Sequence, residues 1–119
     1  MEDYKLGVIE ARFADIIWES EPMTTKELVD RCAAELNWKR TTTYTVLKKL
    51  CEKGFFQMHD RMVTSLVSKL EYHSIQSEKF VEETFSGSLP ALLVAFGSRK
   101  KLTEKEIDEL QKVIDSMRG

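Results

Sequence analysis

Between Lys39 and Lys49 the chain reads KRTTTYTVLKK, which puts four cations, a phenol and four threonine hydroxyls into about three helical turns. Hydroxyl and guanidinium groups hydrogen-bond base edges, whereas ammonium groups neutralise phosphates, so this assortment suits contact with a duplex. Wound as a helix at about 100° per residue, Thr43, Val46, Leu47, Leu50 and Cys51 gather on one side; Thr41, Thr45, Lys48, Lys49 and Glu52 fall opposite. One face is built for burial. The other offers Arg40, Thr41, Thr42, Tyr44 and Thr45 as candidates near bases, with Lys39, Lys48 and Lys49 on phosphates. A plain solvated helix face is the ordinary alternative for any basic stripe.

The elements that must position this helix are legible on both sides of it. Leu6 to Ser20 repeats Leu6, Ile9, Phe13, Ile16 and Ile17 at three- and four-residue intervals, predicting a first helix that Trp18 closes against the core. Pro22 ends it. Thr24 followed by Glu27 is a capping box, flanked by the staple pair Met23 and Leu28, so a second helix starts at Thr24 and runs to about Leu36. The basic helix comes next and stops at Gly54. Two β-rich runs, Phe55–His59 and Met62–Val67, then flank the turn Asp60-Arg61 and predict a hairpin. Three helices and a hairpin make a winged helix-turn-helix, with Arg61 at the wing tip as a further phosphate contact or a solvated turn residue.

The net charge of −2 hides an uneven distribution. Residues 1–36 carry −5, residues 37–61 carry +4, residues 62–70 add +1 and residues 71–119 carry −2. Because affinity for nucleic acid depends on which phosphates are neutralised, an acidic total is compatible with a basic stripe. No apolar run approaches a membrane span and the MEDYK start lacks a signal-peptide layout, so a cytoplasmic chain without membrane insertion is expected. The two cysteines, Cys32 and Cys51, occupy apolar helical positions, where reduced core thiols are the ordinary outcome. His59 and His73 stand apart from any ligand cluster, so no metal and no cofactor are expected. No Ser-His-acid set or Gly-rich phosphate loop points to an enzyme, and no catalytic residue is assigned.

From Tyr72 the character changes. Ile75, Phe80, Val81 and Phe85 predict a fourth helix ended by Ser86-Gly87-Ser88. The segment from Leu89 to Phe96 is apolar almost all round and must be covered on most sides. Thr103 and Glu106 form another capping box, with Leu102 and Ile107 as its staple, opening a last helix striped by Ile107, Leu110, Val113, Ile114 and Met117. Such a tail has little core of its own, so a second copy is the expected partner, with Phe80, Leu89, Leu92, Leu93, Phe96, Leu110 and Ile114 at the dimer interface. A tail folded back on its own wing is the alternative. The expected organisation is therefore mainly α with a small β wing: a winged-helix domain over residues 1–70 and a helical dimerisation domain over 71–119. Two copies would present two basic helices to an inverted-repeat operator in double-stranded DNA.

On Glu10 and Trp18, on the stretch Trp38 to Gly54, and on the tail GSLPALLVAF followed by LTEKEIDEL, the chain resembles the penicillinase and methicillin-resistance repressors, the BlaI/MecI family. The resemblance covers nearly the whole chain and implies a dimeric winged-helix repressor of β-lactam resistance genes. It also implies release when a membrane sensor of the β-lactam receptor type, carrying a metalloprotease domain, triggers cleavage of the tail. The bond cut in well-known members joins Asn to Phe; the corresponding pair here is Ala95-Phe96. Where the family often has Ser-Pro, this chain has Lys39-Arg40, and its wing lacks the usual Gly. The Cys-x-Cys motif of a copper-responsive branch is absent. Two other readings stay open: a winged helix that binds protein, and a repressor answering a different signal such as metal or stress.

Overall fold

The computed structural model describes residues 5–118. Of the MEDYK start, residues 1–4 lie outside the described part. Nine elements follow in order: α1 (Val8–Ser20), β1 (Met23–Thr24), α2 (Thr25–Leu36), α3 (Arg40–Glu52), β2 (Phe56–His59), β3 (Met62–Ser65), α4 (Lys69–Phe85), α5 (Leu89–Arg99) and α6 (Glu104–Ser116). The architecture is a winged helix-turn-helix with a helical tail. Two compact units divide the chain, Met1–Gln76 and Ser77–Gly119, with the seam inside α4.

In the first unit α1 begins two residues later than the apolar repeat suggests. Gly7 is its N-cap and donates its N–H to Glu10 Oε1 at 3.0 Å, while Leu6 is buried and donates its N–H to the Tyr72 hydroxyl at 2.8 Å. Helix α2 opens on the expected capping box: the Glu27 N–H donates to Thr24 Oγ1 at 3.0 Å and the Thr24 N–H to Glu27 Oε1 at 2.8 Å. It ends at Asn37, whose left-handed φ of 57° turns the chain sharply into α3. At the far end of α3, Gly54 has φ 89°, and the N–H groups of Gly54 and Phe55 donate to the carbonyls of Cys51 and Leu50. This paired pattern satisfies carbonyls that the helix leaves over, and only glycine takes that backbone without strain.

The sheet has three strands in the order β1-β3-β2, all antiparallel, where the sequence predicts two. Met23 pairs with Val63 and Thr24 with Met62, so the residues just before α2 extend the wing inward. Glu21 fastens the same edge, its carboxylate accepting from the Ser65 N–H and hydroxyl at 2.7–2.8 Å. The hairpin turns through Asp60 (φ 51°) and Arg61 (φ 64°), the left-handed pair of a two-residue turn, here made without glycine. The core under these elements holds Phe13, Ile17, Leu28, Leu50, Phe55, Phe56 and Val63, all essentially inaccessible, and Trp38 stacks on Phe13 at 5.6 Å. Trp18 packs at its rim and donates its indole N–H to the Val67 carbonyl at 2.9 Å. Truncating one of the buried phenylalanines to Ala should cost about 3–5 kcal/mol.

Helix α4 begins three residues before Tyr72, because Ser68 and Glu71 form a further reciprocal cap. In the second unit, Ser88 caps α5 through the Ala91 N–H at 3.1 Å, with Pro90 in the first turn. Thr103 and Glu106 cap α6 as expected. Neither α5 nor α6 contains a buried residue, and Phe80, Leu89, Leu93, Phe96 and Ile114 are each 38–52% exposed. Among the described residues of this unit, the all-round apolar segment of α5 keeps much of its side-chain surface exposed.

Candidate nucleic-acid interface

The buried face of α3 is narrow. Thr43, Leu47 and Leu50 are inside, Tyr44, Val46 and Cys51 are half-buried, and Thr41, Thr42, Thr45, Lys48, Lys49 and Glu52 are exposed, as the periodicity implies. Thr43 is the polar member of the buried set, its hydroxyl donating to the Lys39 carbonyl at 3.3 Å. Burial raises the thiols of Cys32 and Cys51 above the ordinary cysteine value, Cys32 with an opposing hydrogen bond from Thr43, so both stay protonated near neutral pH.

The exposed groups are not interchangeable. Thr45 donates its hydroxyl proton to the Thr41 carbonyl at 2.8 Å, so it presents lone pairs and a methyl to a partner. Such a group accepts from the amino hydrogens of adenine or cytosine, or packs on a thymine methyl. Arg40 lies over the Tyr44 ring with its guanidinium carbon 5.3 Å from the centroid, a cation–π contact that restrains a long side chain. Among the described residues no carboxylate lies within ion-pair distance of Lys39, Arg40, Lys48 or Arg61. Lys49 differs: its Nζ is 2.8 Å from Glu10 Oε2 on α1.

The tertiary fold gathers part of the expected set and adds to it. Arg40 and Tyr44 face the hairpin across a cleft of about 610 Å³ that is also lined by Thr24, Thr25, Lys26, Met58 and Arg61. Three cations from α2, α3 and the wing tip thus share one opening. A neighbouring depression of about 410 Å³ lies between Tyr44, Lys48 and Met58. Thr42 and Lys49 fall on the opposite flank of α3, away from the hairpin. Lys26 and Met58 are absent from the sequence-derived set. For Lys26 the available signal was its place in the first turn after the Thr24 cap; for Met58 it was only an apolar residue on the outward phase of a strand.

Among the described residues no group of three or more His, Cys, Asp or Glu could hold a metal ion, and no helix is long and apolar enough to cross a membrane.

Three helices, a three-stranded wing and an exposed basic third helix define a winged helix-turn-helix protein of the transcription-regulator kind. The sequence profile of the penicillinase repressor family matches residues 6–116, and the chain belongs to that family. It is similar to the methicillin resistance regulatory protein MecI of Staphylococcus aureus strain Mu50, 23% identical over 116 residues that cover 94% of each chain. The penicillinase repressor of Bacillus licheniformis is 23% identical over 104 residues, 84% of this chain and 81% of that one. MecI of Mammaliicoccus sciuri is 22% identical over 116 residues, 94% of each chain.

Proposed function

We propose that the protein is a dimeric, sequence-specific transcriptional repressor that binds an inverted-repeat operator controlling β-lactam resistance genes. The observation that carries the reading is the cleft where Arg40 and Tyr44 of α3 meet Arg61 of the wing, beside an α3 face left entirely to solvent. Arg40, Thr41, Thr42, Tyr44 and Thr45 read or approach base edges from the N-terminal half of the helix. Lys39, Lys48 and Arg61 hold phosphates on either side and set the register. The exposed apolar side chains of Phe80, Leu89, Leu93, Phe96 and Ile114, with the half-buried Leu92 and Leu110, form the dimer contact. That contact spaces two recognition helices for one dyad.

Induction in this reading runs through cleavage of the Ala95–Phe96 bond by a membrane sensor of the β-lactam receptor type. The bond lies inside α5, so the helix must open locally before a protease can take the segment in extended form. Footprinting on the DNA upstream of its own gene, in a salt series, tests the repressor reading: protection should be symmetric about a dyad and weaken linearly in log-log salt. Protection without symmetry or without salt dependence argues against it. Incubation with the induced cognate sensor tests release, and an intact chain around Phe96 removes that part.

A further inference from the structure

Lys49 is the cation of α3 that the fold already occupies. Glu10 on α1 divides its carboxylate between two tasks: Oε1 accepts the Gly7 N–H at 3.0 Å, closing the N-terminus of α1, and Oε2 sits 2.8 Å from Lys49 Nζ. The carboxylate is sheltered, with its side chain 19% exposed, whereas the lysine side chain is 57% exposed. Its pKa lies below the ordinary glutamate value, chiefly through the Gly7 hydrogen bond and then Lys49, with Lys53 adding attraction at longer range. The acid is therefore charged at neutral pH and remains a standing counter-charge on the flank of α3 away from the wing.

We infer that Glu10 is a specificity-determining residue of the DNA interface, withholding Lys49 from the phosphate backbone on the α1 side of the recognition helix. This rests on the DNA-binding reading given above. Binding to random sequence draws almost wholly on cation–phosphate contacts and can adopt whatever docking angle engages most of them. Binding to an operator is held in one register by base contacts. A masked lysine beside a fixed carboxylate therefore penalises the off-register orientations, which would otherwise recruit it, more than the specific one. Lys49 consequently acts as a paired residue that narrows docking, in place of the phosphate contact its sequence position suggests.

The test compares the full-length wild type with Glu10→Gln, Lys49→Gln, the double variant and Lys48→Gln, on a random-sequence 30-base-pair duplex and on the duplex identified by footprinting. Glutamine at position 10 keeps an acceptor for the Gly7 N–H and loses the charge. The expected result for Glu10→Gln is tighter binding to random DNA, with a salt slope steeper by about 0.9 per bound chain. That is roughly a 3.5-fold steeper loss per chain between 50 and 200 mM salt. The operator duplex should gain less, Lys49→Gln alone should change neither duplex, and the double variant should return to the wild-type slope. If Lys49→Gln lowers the slope by about one in the wild-type background, or Glu10→Gln leaves random binding unchanged, the inference is overturned while Lys48→Gln still reports on the interface itself. A wild type with no salt-dependent binding to either duplex overturns the DNA reading and this inference with it.

Discussion

Replacing Phe96 by Ala should dissociate the protein without unfolding its chain. Phe96 is 47% exposed in the single chain and sits in the apolar segment of α5. A phenylalanine offers about 150–250 Å² for burial, so roughly 70–120 Å² remains for a second copy to cover. At about 25 cal/mol per Å² that is roughly 2–3 kcal/mol per chain. Alanine keeps some of it, leaving about 2 kcal/mol lost per chain and about 4 kcal/mol per symmetric pair, close to a thousandfold in the dimer dissociation constant. The free chain loses less, because half of the ring was never covered and Ala is the better helix former. Sedimentation equilibrium from nanomolar to 100 micromolar, with far-ultraviolet circular dichroism alongside, measures both quantities. Operator affinity should fall in step with dimer dissociation. An unchanged association midpoint for Phe96→Ala, or a wild type that is monomeric throughout this range, would refute the reasoning.

Other perturbations separate the roles of individual residues. Thr45→Ala and Thr42→Ala should cost about 1–3 kcal/mol on operator and little on shuffled sequence, whereas Lys48→Ala should weaken both and lower the salt slope by about one; equal losses on both duplexes for all three variants would contradict the assignment. Arg61→Gly relieves a left-handed φ of 64° at the wing tip. It should raise thermal stability by up to about 1 kcal/mol while lowering DNA affinity, so melting temperature and binding move in opposite directions. Glu10 has its folded pKa below the ordinary glutamate value, so its contribution to stability is present above that value and is lost as pH falls through the lowered one. Urea midpoints measured from pH 7 down to pH 3 should show this acid leg, and Lys49→Gln should shrink it; an identical acid leg in that variant counts against the pairing.

Much of the fold was readable because its signals are local. The boxes at Thr24/Glu27 and Thr103/Glu106, the Gly54 stop and the apolar stripe of α3 involve residues that meet within a turn of helix, so spacing alone implies contact. The cap at Ser68/Glu71 is equally local and shows the same three-residue signature, yet the apolar repeat from Tyr72 drew the boundary of α4 too late. Strand β1 is of another kind: two residues long, it exists because β3 lies beside it, and nothing in Met23-Thr24 specifies that neighbour.

By itself the sequence determined which residues of α3 point outward and that the tail carries more apolar surface than it can bury, since helical periodicity and composition are properties of the chain read along its length. Only the tertiary structure decided how the cations divide. It brings Arg61 and Lys26 to Arg40 across a cleft and ties Lys49 to Glu10, which lies 39 positions earlier in the chain. Ion pairs and clefts between distant segments depend on where the backbone packing sets each element, and a one-dimensional pattern carries no distance between α1, α3 and the wing.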